Sequence, residues 1–362
     1  MADIANEVSQ RPLLDLTTGF MRFKTFSAAV ELEVFTRLAN GREVTAEEFA
    51  AETDLQQRPA DVLLPALVAL DLLEKNGEVY RNSPVAEEFL VKDRPHFFGG
   101  FVQFYDRALY PGWEQLVNSL RTNRSMFVDP EKQETVFAPN DFMMNFFWEA
   151  MHSLAGYTGK ALGEVYDFGA HHRLLDVGGG SGGIPIELCR RVPSLTAGVY
   201  ELPHVCPVIE RKIGEAGLGE VISALPGDFN TDEVLPGGYD VMLLSQVMHC
   251  GDEEANRALL DKCFAALQPG GAVLICELLL NSDRTGPANA AVMGLNMLVS
   301  HAGGQNYSEA EYRDWLSDAG FVDIDVVRFD AAGADGAVVG RKPAWKSSRA
   351  AGGEHDRSRD HR

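Results

Sequence analysis

Apolar positions between residues 13 and 39 recur at helical spacing: Leu14, Phe20, Phe23, Phe26, Ala29, Val30, Leu32, Val34 and Phe35. They predict one or two helices whose faces are too apolar to be left in water. Thr45-Ala-Glu-Glu48 is a capping-box pattern that opens a short helix. A second helix is predicted over 60–73, and Asn76-Gly77 reads as a tight hairpin turn between Leu73-Glu74 and Val79-Tyr80. Helix, helix, hairpin is a winged-helix pattern. Its second helix offers only Arg58 before it and Lys75 after it, too few cations to grip DNA, so the unit reads as an interaction domain. Residues 94–164 are aromatic and helical, with two dense stretches, Phe97 to Tyr105 and Phe142 to Met151. Such density either lines a pocket for a flat organic molecule, with Phe147 and Met151 in its wall, or packs a domain junction.

From about Phe168 the pattern changes. Short apolar runs at 174–177, 195–200, 221–225, 239–244, 272–276, 322–327 and 337–339 alternate with helical stretches. Seven strands in that rhythm predict an α/β fold, a doubly wound parallel sheet, with 241–244 and 272–276 at its centre. The implied division is a winged-helix-like unit over 1–105, a helical segment over 106–166 and the α/β domain over 167–343. A polar tail follows over 344–362 and is expected to be disordered.

Charge and composition narrow the function. A net charge of -21 argues against nucleic acid and anionic membranes as partners. No apolar run reaches the ~18–20 residues that span a bilayer, and the first residues lack a basic, then apolar, export signal. Five scattered cysteines with no C-x-x-C pair fit a reducing, cytoplasmic setting.

The chemistry gathers at Arg173-Leu-Leu-Asp-Val-Gly-Gly-Gly-Ser-Gly-Gly183. A buried strand runs into a glycine turn, and Ile184-Pro185-Ile186 begins a helix with proline near its first turn. This is a nucleotide-binding βα unit. Gly178, Gly180 and Gly183 fit G-x-G-x-x-G, but Asp176, two residues before the first glycine, would repel a pyrophosphate. It suits a ligand with a cationic head, such as the α-ammonium of S-adenosylmethionine. Glu201 falls about 20 residues beyond the loop, where an acid accepts hydrogen bonds from ribose hydroxyls. Asp228 and Phe229 follow the third strand, placed for an adenine edge and ring.

Leu-Leu-Asp-Val-Gly-Gly-Gly-Ser-Gly resembles the first motif of class I methyltransferases. Glu201-Leu-Pro-His-Val, Gly227-Asp-Phe, Ser245-Gln-Val-Met-His249, Leu267-Gln-Pro-Gly-Gly271 and Gly303-Gly304 through Asp318-Ala-Gly-Phe321 then resemble the small-molecule O-methyltransferases, which include plant caffeate-type and bacterial natural-product enzymes. That resemblance covers nearly all of the chain except the tail. It implies a Rossmann-like methyltransferase domain, an N-terminal winged-helix dimerisation domain and a homodimer. It also implies S-adenosylmethionine as cofactor, S-adenosylhomocysteine as product, and a small aromatic acceptor, a phenolic hydroxyl, in specialised metabolism. The implied cofactor residues are Asp176, Gly178, Gly180, Gly182, Glu201, Leu202, Gly227, Asp228, Phe229 and Ser245. His249 matches the family's general base, and Glu277 an acid that orients it. A phenol of pKa near ~10 needs such a base at neutral pH.

Two departures bear on the acceptor. The family's His-Asp-Trp is His249-Cys250-Gly251 here, and a second family glutamate falls on Asn306. Asn296 and His301, on the preceding helix, and Asn306 are the expected substrate contacts. The competing readings are methyl transfer to an aromatic carbon or nitrogen, a relative that keeps the cofactor without transferring methyl, and a metal-assisted site on His249, Cys250 and His301. The loose spacing of those last ligands leaves no metal assigned.

Overall fold

The computed structural model describes residues 8–126, 141–301 and 303–344, with side chains from residue 146 onward in the second stretch. The aromatic side chain of Phe142 and the tail from residue 345 onward lie outside the described residues.

The N-terminal unit follows its pattern closely. Helices α1 (Arg11–Glu31) and α2 (Val34–Arg37) precede a short strand β1 (Val44–Thr45). Thr45 then caps α3 (Ala46–Thr53): its side chain accepts from the Glu48 N–H while Glu48 returns to the Thr45 N–H, the reciprocal capping box that the sequence announces. Helix α4 (Gln57–Ala69) is followed by strands β2 (Leu73–Asn76) and β3 (Val79–Asn82) and by α5 (Pro84–Phe89). α4 stops at Ala69, short of the expected 73. Asp71 adopts a left-handed φ of 58°, and Leu73 is taken by the hairpin, where it pairs with Asn82. Phe35, Leu38, Phe49, Leu64, Leu67 and Tyr80 form this unit's own core, each worth ~1.5–3 kcal/mol when removed from water.

The aromatic segment is helical, as expected: α6 (Gly99–Phe104), a π-helical turn over Tyr105–Leu109, α7 (Tyr110–Trp113), α8 (Leu116–Thr122) and the long α9 (Asp141–Val165). α9 lies against α10 (Gly183–Arg191), the helix that opens from the glycine loop. The approach is close enough to demand glycine. A Cβ on Gly159 would sit 2.9 Å from Ile184 Cα, and one on Gly183 2.9 Å from Ala155 Cβ. This contact sets the aromatic wall on top of the sheet.

The sheet contains β4 (Arg173–Val177), β5 (Thr196–Glu201), β6 (Ile222–Pro226), β7 (Tyr239–Ser245), β8 (Leu267–Glu277), β9 (Val322–Arg328) and β10 (Gly336–Arg341), with α11 (Cys206–Glu215), α12 (Glu253–Ala266), α13 (Ala288–Ser300) and α14 (Glu309–Asp318) between them. Its spatial order is β6-β5-β4-β7-β8-β10-β9. All seven expected strands form, but the sheet is mixed rather than wholly parallel. β10 runs antiparallel to both β8 and β9, because the short link between the last two strands makes a hairpin instead of a helical crossover. β7 and β8 are central, and Val241 to Leu244 and Ala272 to Cys276 are fully buried. Alternate side chains serve two cores: Leu174, Val241, Leu243 and Leu274 on one face, Leu175, Met242, Leu244 and Ile275 on the other. The parallel register aligns Val177 with Tyr200, Glu201 with Pro226 and Ser245 with Cys276. The carboxyl ends of five strands, β4 to β8, therefore share one edge.

One apolar face has no cover among the described residues. Leu13, Leu14, Leu16, Phe20 and Met21 on α1 are more than half exposed or nearly so, as are Val117 and Leu120 on α8. A second copy of the chain accounts for such a face better than solvent does. Sedimentation at micromolar concentration is expected to give a dimer, with an interface on the order of 2,000 Å². The double substitution Leu16→Asp, Phe20→Asp should shift it toward monomer; a wild-type monomer would refute this assignment of the face.

Candidate active site

The glycine loop lies where β4 ends. Asp176, the last but one residue of that strand, is 1% exposed, and its Oδ1 has no hydrogen-bond partner. The loop wraps its other oxygen so tightly that a Cβ on Gly179 would fall 2.5 Å from Asp176 Oδ2. Gly178 and Gly180 have φ of +68° and +56°, and side chains there would strike Val247 and the Trp148 ring. The turn therefore requires glycine twice over, for backbone angle and for space.

Glu201 ends β5, one strand across. Its carboxylate accepts from the Gly180 N–H at 2.9 Å and from the Leu202 N–H at 2.8 Å, which clamps the acid to the glycine loop. Burial pushes the Asp176 carboxyl up to about 8, with nearby Glu201 adding to the effect. Burial likewise raises Glu201 to about 7 against the lowering pull of its two N–H donors. Two buried acids with no cation beside them form a site that favours a positively charged ligand.

Asp228 and Phe229 follow β6. Asp228 Oδ1 accepts from the Asn230 N–H at 2.9 Å, and the Phe229 ring packs toward Gly178. Leu202 and Ser245 complete this end of a cavity of about 500 Å³. An orphaned carboxylate oxygen, a glycine floor and a flat aromatic beside it fit S-adenosylmethionine. Gly182 and Gly227 do not line the cavity. Gly182 takes a left-handed φ of +78° at the start of α10, and Gly227 packs under the Tyr200 ring, which a Cβ there would strike.

The other end is built on the turn Met248–Cys250, just past β7. His249 Nδ1 lies 2.6 Å from Glu277 Oε2, and the His249 N–H points to Oε1 of the same carboxylate at 3.4 Å. Glu277 ends β8, where register with β7 sets it beside the turn, and it is 1% exposed. It stands behind the imidazole, outside the cavity wall, while His249 lines the cavity. Burial pulls the His249 imidazole downward, but the Glu277 and Cys250 side chains outweigh it and hold the ring well above its usual pKa of about 6.5. Asn256 donates to the Met248 carbonyl at 2.8 Å, and Asp252 caps α12 immediately after the turn. The backbone carrying His249 is thus fixed from both sides.

Phe147, Met151, Asn296 and His301 all face the cavity. Asn296 Oδ1 accepts from Trp113 Nε1 at 3.0 Å, which ties the acceptor-side helix α13 to α7. Asn306 does not reach the cavity. Its amide donates to the Leu278 carbonyl at 2.8 Å and is 2% exposed, so it braces the chain after β8. Cys250 Sγ lies 3.8 Å from His301 Nε2. Among the described residues no group of three or more His, Cys, Asp or Glu is arranged to hold a metal ion.

Sequence reasoning missed several wall residues. Gln246, in a left-handed conformation at φ 56°, donates to the Gly333 carbonyl, and Ala332 and Gly333 reach the cavity from the β9–β10 link. Trp148 covers Gly180, and Ser181 pairs with His152 Nδ1 at 2.9 Å. Only the indole carried a signal, as part of the aromatic run; the others depend on pairings distant in sequence.

Residues 14–92 match the O-methyltransferase dimerisation domain and residues 132–322 the O-methyltransferase domain. The second match alone covers more than half of the chain, which belongs to this O-methyltransferase family. It is an S-adenosylmethionine-dependent methyltransferase. It is 41% identical to the 3-hydroxy-5-methyl-1-naphthoate 3-O-methyltransferase of Streptomyces sahachiroi, over 91% of this chain and 94% of that one. It is 33% identical to the tetracenomycin polyketide synthesis 8-O-methyl transferase TcmO of Streptomyces glaucescens, over 91% and 96%. A relative named L-tyrosine C(3)-methyltransferase, from Streptomyces lavendulae, is also 33% identical, over 87% of each chain. Human N-acetylserotonin methyltransferase, solved with S-adenosylmethionine, superposes with a TM-score of 0.81 at 25% identity, covering 95% of this chain and all of that one. No helix among the described residues is long and apolar enough to cross a membrane.

The raised carboxyls give the cofactor end a pH signature. A cationic ligand favours ionised Asp176 and Glu201, so affinity for S-adenosylmethionine should rise with pH through about 7 and level off only above about 8, with proton release on binding. Calorimetry in two buffers of different ionisation enthalpy measures both, and a flat affinity over that range would remove these acids from the site. Glu201→Ala should weaken binding by ~1–3 kcal/mol, the cost of a lost hydrogen bond to a charged group.

Proposed function

We propose that this enzyme methylates a phenolic hydroxyl of a small aromatic acceptor in specialised metabolism, with His249 as general base. The observation that carries the reading is the buried His249–Glu277 pair at 2.6 Å, open to a cavity walled by aromatic and methionine side chains. The substrate named for the naphthoate relative, a hydroxylated aromatic, supports it. S-adenosylmethionine supplies the methyl group as an electrophilic carbon on a sulfonium. On this reading Asp176, Gly178, Gly180, Glu201, Leu202, Asp228, Phe229 and Ser245 hold the cofactor at the sheet edge, while Gly182 and Gly227 shape the backbone that does so. Phe147, Met151, Asn296 and His301 hold the acceptor, whose ring lies against soft, flat side chains. Residues 1–105 serve dimerisation, 106–166 the pocket wall and 167–343 cofactor binding and transfer.

Glu277 accepts from His249 Nδ1, so Nε2 is the nitrogen left to take the acceptor's proton. A phenol of pKa ~10 is a weak acid for a base of pKa 6.5, and an imidazole raised by a buried carboxylate narrows that gap. Alignment in the cavity supplies the rest of the rate gain. Transfer to a ring carbon is the second reading, favoured by the L-tyrosine C(3)-methyltransferase relative; His249 would then deprotonate a neighbouring hydroxyl. Mass spectrometry and NMR of products from candidate hydroxyaryl acids decide between them by locating the added methyl.

His249→Ala should lower turnover by ~10²–10⁴ and leave S-adenosylhomocysteine affinity close to wild type. The neutral imidazole is the active form, so a raised pKa puts the low-pH limb of kcat/KM above pH 6.5. Glu277→Gln removes the charge that raises it and should move the limb to lower pH while reducing kcat. Near wild-type turnover in His249→Ala would end the base assignment.

A further inference from the structure

Cys250 differs from the other four cysteines in its surroundings. Cys189, Cys206, Cys263 and Cys276 are buried, and burial raises each of their thiols. Cys250 is partly exposed and lines the cavity beside His249. Its other neighbour, His301, has its tautomer set by a hydrogen-bond chain. Ser300 Oγ donates to the Asn296 carbonyl at 2.6 Å, so it can only accept from His301 Nδ1, 2.8 Å away. The His301 Nδ1 therefore carries a proton, and in the neutral ring Nε2 presents its lone pair 3.8 Å from Cys250 Sγ. A thiol facing an oriented imidazole nitrogen, with a third group fixing that ring, is the arrangement that activates a sulfur nucleophile.

We propose that Cys250 and His301 form a nucleophilic thiol site in the acceptor end of the cavity, one that captures conjugated carbonyl compounds, soft carbon electrophiles, as thioethers. His301 Nε2 takes the thiol proton, and Sγ bonds to the electron-poor alkene carbon. The π pair of that alkene moves toward the carbonyl oxygen, and the resulting enolate recovers the proton from His301. Nothing is oxidised, and no leaving group departs. Five groups set the charge state of the sulfur. His249 adjoins it on the same turn, with Glu277 behind that ring, and His301 faces it from the end of α13. Glu201 lies across the cavity and Tyr312 on α14 behind. Burial opposes ionisation, but the two imidazoles outweigh it and lower the thiol to about 6. The acids and the phenol act in the other direction.

N-ethylmaleimide is a suitable probe, because it is a conjugated carbonyl and its adducts map by peptide mass spectrometry without any methyl acceptor. In the intact protein with S-adenosylhomocysteine present, Cys250 should be labelled ahead of the other four cysteines. The rate should reach half its plateau well below the ~8.5 of a free thiol. His301→Gln should move that midpoint up, and Cys250→Ser should abolish the early adduct. Ser300→Ala, which releases the His301 ring from its orienting partner, should slow labelling at neutral pH; it decides the matter if His301→Gln no longer binds S-adenosylhomocysteine. Labelling of Cys250 no faster than its buried counterparts, or a midpoint near 8.5 that neither variant moves, would overturn the proposal. The methyl-transfer reading is independent of either result.

Discussion

A carboxylate without a counter-charge cannot rest comfortably inside a protein, and this site contains several. Asp176, Glu201 and Glu277 are each at most 7% exposed at the ends of β4, β5 and β8. Glu277 meets its need with His249, and Glu201 meets part of its need with two backbone N–H groups. Asp176 keeps an oxygen with no partner. Burying such groups costs several kcal/mol unless they are neutralised or paired. The rest of the architecture makes that arrangement tolerable. The central strands bring enough apolar burial to hold the edge rigid, and the glycine loop folds tightly enough to reach Glu201. The aromatic helices wall one side of the cavity. A positive charge brought to that edge would complete it.

The same logic divides the two ends of the cavity. At the cofactor end the acids stand without an internal base. At the acceptor end Glu277 is already committed to His249, and the sulfur of Cys250 stands between two imidazoles. Two neighbouring environments thus favour opposite states: one waits for positive charge from outside, the other holds its charges among its own side chains.

Much of this was legible in the residues themselves. Seven strands, the capping box at Thr45 and the Asn76-Gly77 hairpin follow from local patterns, because each is decided by side-chain periodicity or by backbone geometry at one turn. Asp176, Glu201, Asp228, His249 and Glu277 could be singled out because motifs place them at or just past strand ends, and strand register alone then brings those ends together. What remained hidden depends on long-range pairing. β8 begins at Leu267, five residues before its apolar run, because Leu267 pairs with Tyr239 on β7 although a proline and two glycines follow it. β10 turns antiparallel, which carries Ala332 and Gly333 over the cavity and gives Gln246 its partner. Asn306 was expected in the pocket from its position after Gly303-Gly304, yet its amide is turned to the Leu278 carbonyl. No local pattern distinguishes an amide that meets a substrate from one that braces a loop.

The hydrogen bond from Trp113 to Asn296 joins two helices that lie far apart in sequence, neither of which contributes to the sheet. On the proposed reading, the acceptor wall is therefore carried by segments other than the strand ends and glycine loop. Substitutions on α6, α7 and α13 can reshape one half of the cavity while the strand ends and the glycine loop stay as they are. Such a division lets new acceptor preferences arise through mutational drift at little risk to the inherited chemistry. A library confined to those three helices would explore acceptor range with the transfer machinery held constant.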